Sequence, residues 1–133
     1  SGMTGLETSE LLVSQGNKVS VIEMADKIAP GAWFQQLDDA LPKLKEADTK
    51  FYTSTKLEDV LPGAIKVLDT VTNTEREIPC DIVVLSMGVR PDSSLYESLK
   101  SEFGNVYAIG DCVKTGRIVN ATEAAYRLAT SLK

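Results

Sequence analysis

Apolar residues recur at helical spacing in some stretches of the chain and in short unbroken runs in others. Met3, Leu6 and Val13, with Leu12 beside them, fall at roughly helical intervals. Gly16 follows as a helix stop in the left-handed conformation. Lys18-Val19-Ser20-Val21-Ile22-Glu23 is a short β-branched run and predicts a buried strand. Phe34, Leu37, Leu41 and Leu44 share one face of an amphipathic helix. Pro42 lies inside that helix, where a proline costs ~3 kcal/mol and predicts a kink or a break. Lys50-Phe51-Tyr52 predicts the next strand. Leu57 to Leu61, Ala64 to Val71 and Glu75 to Ile78 read as short strands joined at Pro62-Gly63 and Thr72-Asn73, a meander rather than a helix.

Ile82-Val83-Val84-Leu85 is continuously apolar, as a strand buried on both faces requires. It ends at Ser86-Met87-Gly88, and Val89-Arg90-Pro91-Asp92 breaks the pattern. Asp92 or Ser93 can cap a short helix through Leu99. Val106-Tyr107-Ala108-Ile109 predicts one more buried strand, stopped by Gly110-Asp111. The last helix is expected from Asn120, with Glu123 completing a capping box. Ala121, Ala124, Ala125, Leu128 and Leu132 form its apolar face. Alternating strands and helices give an α/β order. The expected boundary near Pro91 separates a dinucleotide-type unit, residues 1–91, from a tail, residues 92–133.

A chain of 133 residues suffices for one domain with a core and a small tail. No apolar run approaches the ~18–20 residues of a membrane span. The opening residues lack a basic stretch followed by an apolar one, so no secretory signal is expected, although the chain opens inside a motif. A net charge of −5 without a basic stripe argues against nucleic-acid binding. Histidine is absent, which excludes Ser–His and Cys–His pairs, a His general base and a His-ligated metal. Cys80 and Cys112 form no CxxC pair, so a reduced, cytoplasmic setting is expected. Neither a metal site nor a catalytic side chain is expected.

Gly2-Met3-Thr4-Gly5 matches the last two glycines of a G-x-G-x-x-G motif; the first glycine, and the strand before it, would precede Ser1. Gly2 would let backbone approach a pyrophosphate, and Gly5 would let the helix pack close to a strand. The helix start adds N–H groups and a positive dipole end. A plain turn and helix is the competing reading. Glu23 ends the second strand about 20 residues later, where a carboxylate accepts hydrogen bonds from a ribose 2′-hydroxyl. It would repel a 2′-phosphate, and no Arg follows it directly, so NADH is favoured over NADPH. A solvated strand-end glutamate is the alternative. At the other end, an apolar strand delivers Asp111 through the Gly110 turn, where it could bond a polyol hydroxyl or serve as an ordinary turn aspartate. Asn120-Ala121-Thr122 would present helix N–H groups to negative charge.

Taken together, these segments resemble the FAD/NAD-linked pyridine-nucleotide oxidoreductases, and the resemblance spans essentially the whole chain. Gly2-Met3-Thr4-Gly5-Leu6-Glu7 looks like the glycine motif of the NAD domain. Leu85-Ser86-Met87-Gly88-Val89-Arg90-Pro91-Asp92 looks like the segment that crosses back to the FAD domain. Tyr107-Ala108-Ile109-Gly110-Asp111-Cys112 looks like the second FAD motif. The short connection from Gly88 to Gly110, followed closely by Gly116-Arg117-Ile118-Val119-Asn120-Ala121-Thr122, is similar to the NADH:flavin oxidoreductase / 2-enoate and 2,4-dienoyl-CoA reductase branch. In that branch an FMN-carrying barrel with an iron–sulfur cluster precedes these domains, and electrons pass from NAD(P)H through FAD, the cluster and FMN to an activated alkene.

The resemblance implies that Gly2, Met3, Thr4, Gly5, Glu23 and Met24 hold NADH and that Glu7 lies near the nicotinamide end. It implies that Gly88 lines the dinucleotide cleft. Gly110, Asp111, Asn120, Ala121 and Thr122 would face FAD. Cys112 is read as a packed thiol, and Pro30-Gly31 with Trp33 as a loop beside the cofactor or as core. Ala47-Asp48 stands where the family often has glycine.

The fold expected is therefore α/β, a Rossmann-like three-layer dinucleotide fold with a β-meander and its first strand missing. The vacancy could be filled by Val106–Ile109, within one chain or in a strand-exchanged dimer. The expected function is the electron-input portion of a flavin-dependent oxidoreductase, inactive in isolation and completed by N-terminal domains of the same polypeptide. The alternatives are a non-catalytic dinucleotide-binding module and a ligand-free structural fragment.

Overall fold

The computed structural model describes residues 2–132, which divide into two compact units between Gly88 and Val89. In the first unit, helix α1 spans Met3–Ser14. Gly16 stops it at φ +84°. The Gly16 N–H donates to the Val13 carbonyl at 2.9 Å and the Asn17 N–H to that of Leu12 at 3.1 Å, the paired bonds of a Schellman motif. Strand β1, Ser20–Ile22, pairs in parallel with β2, Lys50–Tyr52, with Val21 opposite Phe51. Parallel neighbours need a crossover, and helix α2, Phe34–Glu46, lies in it.

Helix α2 ends as α1 does, but with aspartate in the glycine position. Asp48 takes φ +56°. Its N–H donates to the Lys45 carbonyl at 3.0 Å, and the Thr49 N–H donates to that of Leu44 at 2.9 Å. Aspartate visits this region more readily than most residues, so the stop survives without glycine. Of the kink or break expected at Pro42, the break does not occur, and α2 runs through it to Glu46. The apolar face holds it: Leu37, Leu41 and Leu44 all belong to the core cluster, and burial outweighs local propensity.

That cluster centres on Leu6, Ala29 and Leu44, each at most 1% exposed. Met3, Val13, Ile28, Ala32 and Phe51 pack against it as well. The meander follows as expected: β3 (Thr55–Leu61), β4 (Ala64–Asp69) and β5 (Thr74–Pro79) form an antiparallel sheet with β4 central. Ile65 and Val67 of β4 are buried. At the β4–β5 turn, Asp69 Oδ1 accepts the N–H groups of Val71 and Thr72, both at 2.9 Å. Those donors, Thr72 first, hold its carboxyl below the usual carboxylate range.

Two expected strands are corrected. Ile82–Leu85 carries no strand pairing, and Ile82, Val84 and Leu85 are 80%, 55% and 61% exposed. Val106–Ile109 likewise pairs with no strand among the described residues. An apolar run becomes a buried strand only where neighbours supply its ladder and cover its faces, and no ladder reaches either segment.

In the second unit, α3 spans Ser94–Glu102, a tight turn spans Gly110–Cys112, and α4 spans Ile118–Ser131. Asp92 Oδ1 accepts the Ser94 N–H at 2.9 Å, so it caps α3 from two residues upstream. The Ser94 hydroxyl and N–H keep its carboxyl below the ordinary value. Helix α4 starts at Ile118, ahead of the expected Asn120. Asn120 sits in the first turn, and its Oδ1 reaches back to accept the Arg117 N–H at 2.9 Å. The expected box with Glu123 is thus displaced by one that begins at Arg117. None of these three elements contains a buried residue.

Candidate functional site

The singled-out residues fall into both units. In the first, Gly2 is the N-cap of α1 and Met3, Thr4 and Gly5 form its first turn. No side chain caps this end. Gly2 has φ −108°, open to any residue. A Cβ built there meets nothing within 4 Å. Neither backbone strain nor packing among the described residues requires glycine here. Gly5 contributes through its carbonyl, which accepts the hydroxyl of the buried Ser9 at 2.7 Å. Glu7 is exposed on the following turn.

Glu23 stands immediately after β1 and is only 8% exposed. Its main chain continues the ladder: its N–H donates to the Tyr52 carbonyl at 2.8 Å and its carbonyl accepts the Thr55 N–H at 2.9 Å. Its side chain turns onto the following loop, where Oε1 accepts the Ala25 N–H at 3.0 Å. A buried carboxylate is costly unless such donors satisfy it. Met24 beside it is 63% exposed. The loop after Glu23 carries Ile28, Ala29 and Ala32, and these share the core cluster with Met3 and Leu6 of the first turns of α1. The loop that follows Glu23 thus packs in one cluster with the start of α1. Trp33 is the N-cap of α2 and is 57% exposed, so it belongs to the loop surface rather than the core. Gly88 is exposed, with φ +78° and open space around it.

In the second unit, Gly110 takes φ +70°, and a Cβ on it would lie 3.6 Å from that of Ala121. The glycine turn therefore rests on the first turns of α4. Asp111 Oδ1 accepts the Gly116 N–H at 3.2 Å, closing the loop from Gly110 to Gly116. Cys112 donates its thiol to the Ile109 carbonyl at 3.1 Å, and both cysteines are free and partly buried. Thr122 turns its hydroxyl to the carbonyls of Ile118 and Val119. Gly110, Asp111, Asn120 and Ala121 are thus gathered around one glycine-bounded loop.

Gly116 completes that loop in a way its place in the motif did not indicate. A Cβ there would stand 2.9 Å from Asn120 Oδ1 and 3.2 Å from Asn120 Cβ. Gly116→Ala is expected to displace the Asn120 side chain and expose the Arg117 N–H. Loss of a cap costs about 1 kcal/mol, which should read as lower helicity by circular dichroism. Full retention of helicity would show that the loop yields instead. Sequence reasoning also missed Ala25: its backbone N–H donates to the Glu23 carboxylate, and backbone donors leave no mark in side-chain chemistry.

No group of three or more His, Cys, Asp or Glu side chains among the described residues could hold a metal ion. No described helix is long and apolar enough to cross a membrane.

Among curated proteins, the chain is 32% identical over 138 residues to a bilirubin reductase of Mediterraneibacter gnavus, covering 98% of this chain and 20% of that one. It is 29% identical over 139 residues to a cinnamate reductase of Clostridium sporogenes, covering 98% and 20%. The chain therefore spans about a fifth of the length of these relatives. Among solved structures, 6-hydroxypseudooxynicotine amine oxidase from Pseudomonas geniculata N1 superposes with a TM-score of 0.81 at 23% identity, over 98% of this chain and 20% of that one. That likeness gives the fold, a mixed α/β Rossmann-like architecture. The profile described as pyridine nucleotide-disulphide oxidoreductase matches residues 1–127. With the carboxylate held at the end of β1, the uncapped start of α1 and the Gly110–Asp111 turn, the chain belongs to the pyridine nucleotide-disulphide oxidoreductase family.

Proposed function

We propose that this chain is the electron-input portion of a flavin-dependent oxidoreductase, binding NADH in preference to NADPH. Residues 1–91 form the nicotinamide-dinucleotide part and residues 92–133 belong to the FAD part. One observation carries the reading: Glu23 is 8% exposed at the end of a parallel strand, with its carboxylate oriented by the Ala25 N–H. A carboxylate there accepts hydrogen bonds from a ribose diol and rejects a 2′-phosphate. Gly2, Met3, Thr4 and Gly5 bring the start of α1 against the pyrophosphate, where the helix dipole favours negative charge. Met24 covers the adenosine end, Glu7 lies toward the nicotinamide, and Gly88 lines the cleft.

Asp111 holds the polyol of FAD, while Asn120, Ala121 and Thr122 offer the start of α4 to the flavin. The two cofactors supply hydride chemistry when bound. The chain's own residues bind, orient and exclude water, and none is required as a general acid or base. In the longer protein the electrons continue to FMN and an enoate-type acceptor, a reading the cinnamate reductase relative favours. An iron–sulfur cluster ahead of this chain belongs to the same reading.

Titration with NADH and NADPH, followed by Trp33 emission and checked by calorimetry, tests it. Saturable binding that prefers NADH is expected. Absence of binding by both methods, or a preference for NADPH, would reject it.

A further inference from the structure

The Glu23 carboxylate is not held by its own strand alone. Its Oε1 accepts the Ala25 N–H at 3.0 Å. The Ala25 carbonyl in turn accepts the Ser54 N–H at 2.8 Å. Ser54 sits between β2 and β3 at φ +48°, a left-handed conformation that costs a serine free energy. Its carbonyl accepts twice from Thr70, once from the N–H at 2.7 Å and once from the hydroxyl at 2.9 Å. Thr70 follows β4, sixteen residues away in sequence. Thr55, next to Ser54 and 1% exposed, donates its N–H to the Glu23 carbonyl at 2.9 Å. Hydrogen bonds joined through the backbone of Ser54 and Ala25 therefore lead from the β4–β5 turn to the carboxylate.

We propose that Ser54 and Thr70 are positioning residues through which the meander fixes the Glu23 carboxylate, and so sets the discrimination between a ribose 2′-hydroxyl and a 2′-phosphate. This rests on the dinucleotide-binding reading above. The physical basis is preorganisation. Ser54 in a left-handed conformation is under strain and needs an external tie. Thr70 supplies that tie with two donors on one carbonyl. With the tie in place, the Ala25 carbonyl is held by the Ser54 N–H while the Ala25 N–H, on the preceding peptide, bonds Oε1. With the tie loosened, the backbone about Ala25 gains freedom, and its N–H holds Oε1 less firmly. Discrimination by charge requires a charge in a fixed place, so selectivity should suffer more than overall affinity.

Thr70→Val removes the hydroxyl, keeps the shape and leaves the Thr70 N–H bond intact. Thr70→Ser restores the hydroxyl. Amide hydrogen exchange on the full chain reads the linkage without any ligand. Thr70→Val is expected to speed exchange at the Ser54 and Ala25 amides about fivefold, the worth of one modest hydrogen bond, with no change at Val21 in β1. Thr70→Ser should return both amides to the wild-type rate. With ligand, the ratio of NADPH to NADH dissociation constants should fall by a similar factor in Thr70→Val and recover in Thr70→Ser.

Unchanged exchange at Ala25 overturns the linkage. Faster exchange at Val21 as well as at Ala25 shows general loosening and overturns it too. Faster exchange at Ser54 and Ala25 with an unmoved cofactor ratio keeps the linkage but rejects its role in selectivity. Glu23→Ala separates the two levels. If that variant leaves the cofactor ratio unchanged, the dinucleotide reading fails by itself, and the exchange rates still decide whether Thr70 holds the Ala25 loop.

Discussion

Leu44→Ala lowers the stability of the first unit by about 3 kcal/mol, within the range found for leucine truncations in packed cores. Leu44 is 0% exposed and forms the core cluster with Leu6 and Ala29. Its removal takes away apolar burial and leaves a cavity that α1 and α2 cannot both close. The loss is large for this unit because its fully buried side chains are few, Leu6, Leu44, Val67 and Thr55 being the largest of them. For a domain of this size each kcal/mol shifts the melting temperature by roughly 4–8 °C, so the midpoint should fall by about 12–24 °C. Leu11→Ala is the control: Leu11 lies on α1 but is 58% exposed, so its truncation should change stability by less than about 0.5 kcal/mol. Thermal unfolding followed by circular dichroism separates the two. Equal melting of Leu44→Ala and wild type would mean that α1 and α2 are not joined by this cluster. Dinucleotide binding should fall with stability, because Met3, in the first turn of α1, rests on the same cluster as Leu44.

On the proposed reading, Glu23→Ala is expected to weaken NADH binding by about 10- to 100-fold, with much less effect on NADPH. Hydrogen bonds to a charged group are worth about 1.5–3 kcal/mol, and each 1.4 kcal/mol is tenfold in affinity. A 2′-phosphate gains nothing from the carboxylate and is repelled by it, so truncation removes a penalty for NADPH while removing an attraction for NADH. Glu23→Gln sharpens the contrast, since it keeps an acceptor for the Ala25 N–H and removes the charge. It should narrow the NADH preference with a smaller loss of NADH affinity. Trp33 emission reads both cofactors, and a melting curve guards against loss of fold, because Glu23→Ala leaves the Ala25 N–H without its acceptor. An NADH dissociation constant within twofold of wild type would remove Glu23 from the site.

Much of the architecture was legible in the chain because its causes are local. The helical spacing of Leu37, Leu41 and Leu44 announced α2, Gly16 announced the end of α1, and the turns at Pro62-Gly63 and Thr72-Asn73 marked out the meander. The glycine pair, Glu23 and the Gly110-Asp111 turn could be read as candidates because each couples a residue type to a strand or helix end. Other features depended on partners distant in sequence. Proline in α2 was outweighed by the burial of Leu44 and Ala40. Ile82–Leu85 and Val106–Ile109 have the composition of buried strands, yet a strand is a relation between segments, and no ladder reaches either. The start of α4 moved to Ile118 because Asn120 bonds backward to Arg117 rather than serving as the cap.

By itself, then, the sequence determined where the chain turns, which faces are apolar and which carboxylates stand at strand ends, since these follow from side-chain chemistry and spacing. Only the tertiary structure decided that Glu23 is buried and held by a backbone N–H, and that Thr70 reaches Ser54 across sixteen residues. Each of those contacts has a backbone group on one side, which every residue carries alike, and only the folded path of the chain brings it to its side-chain partner.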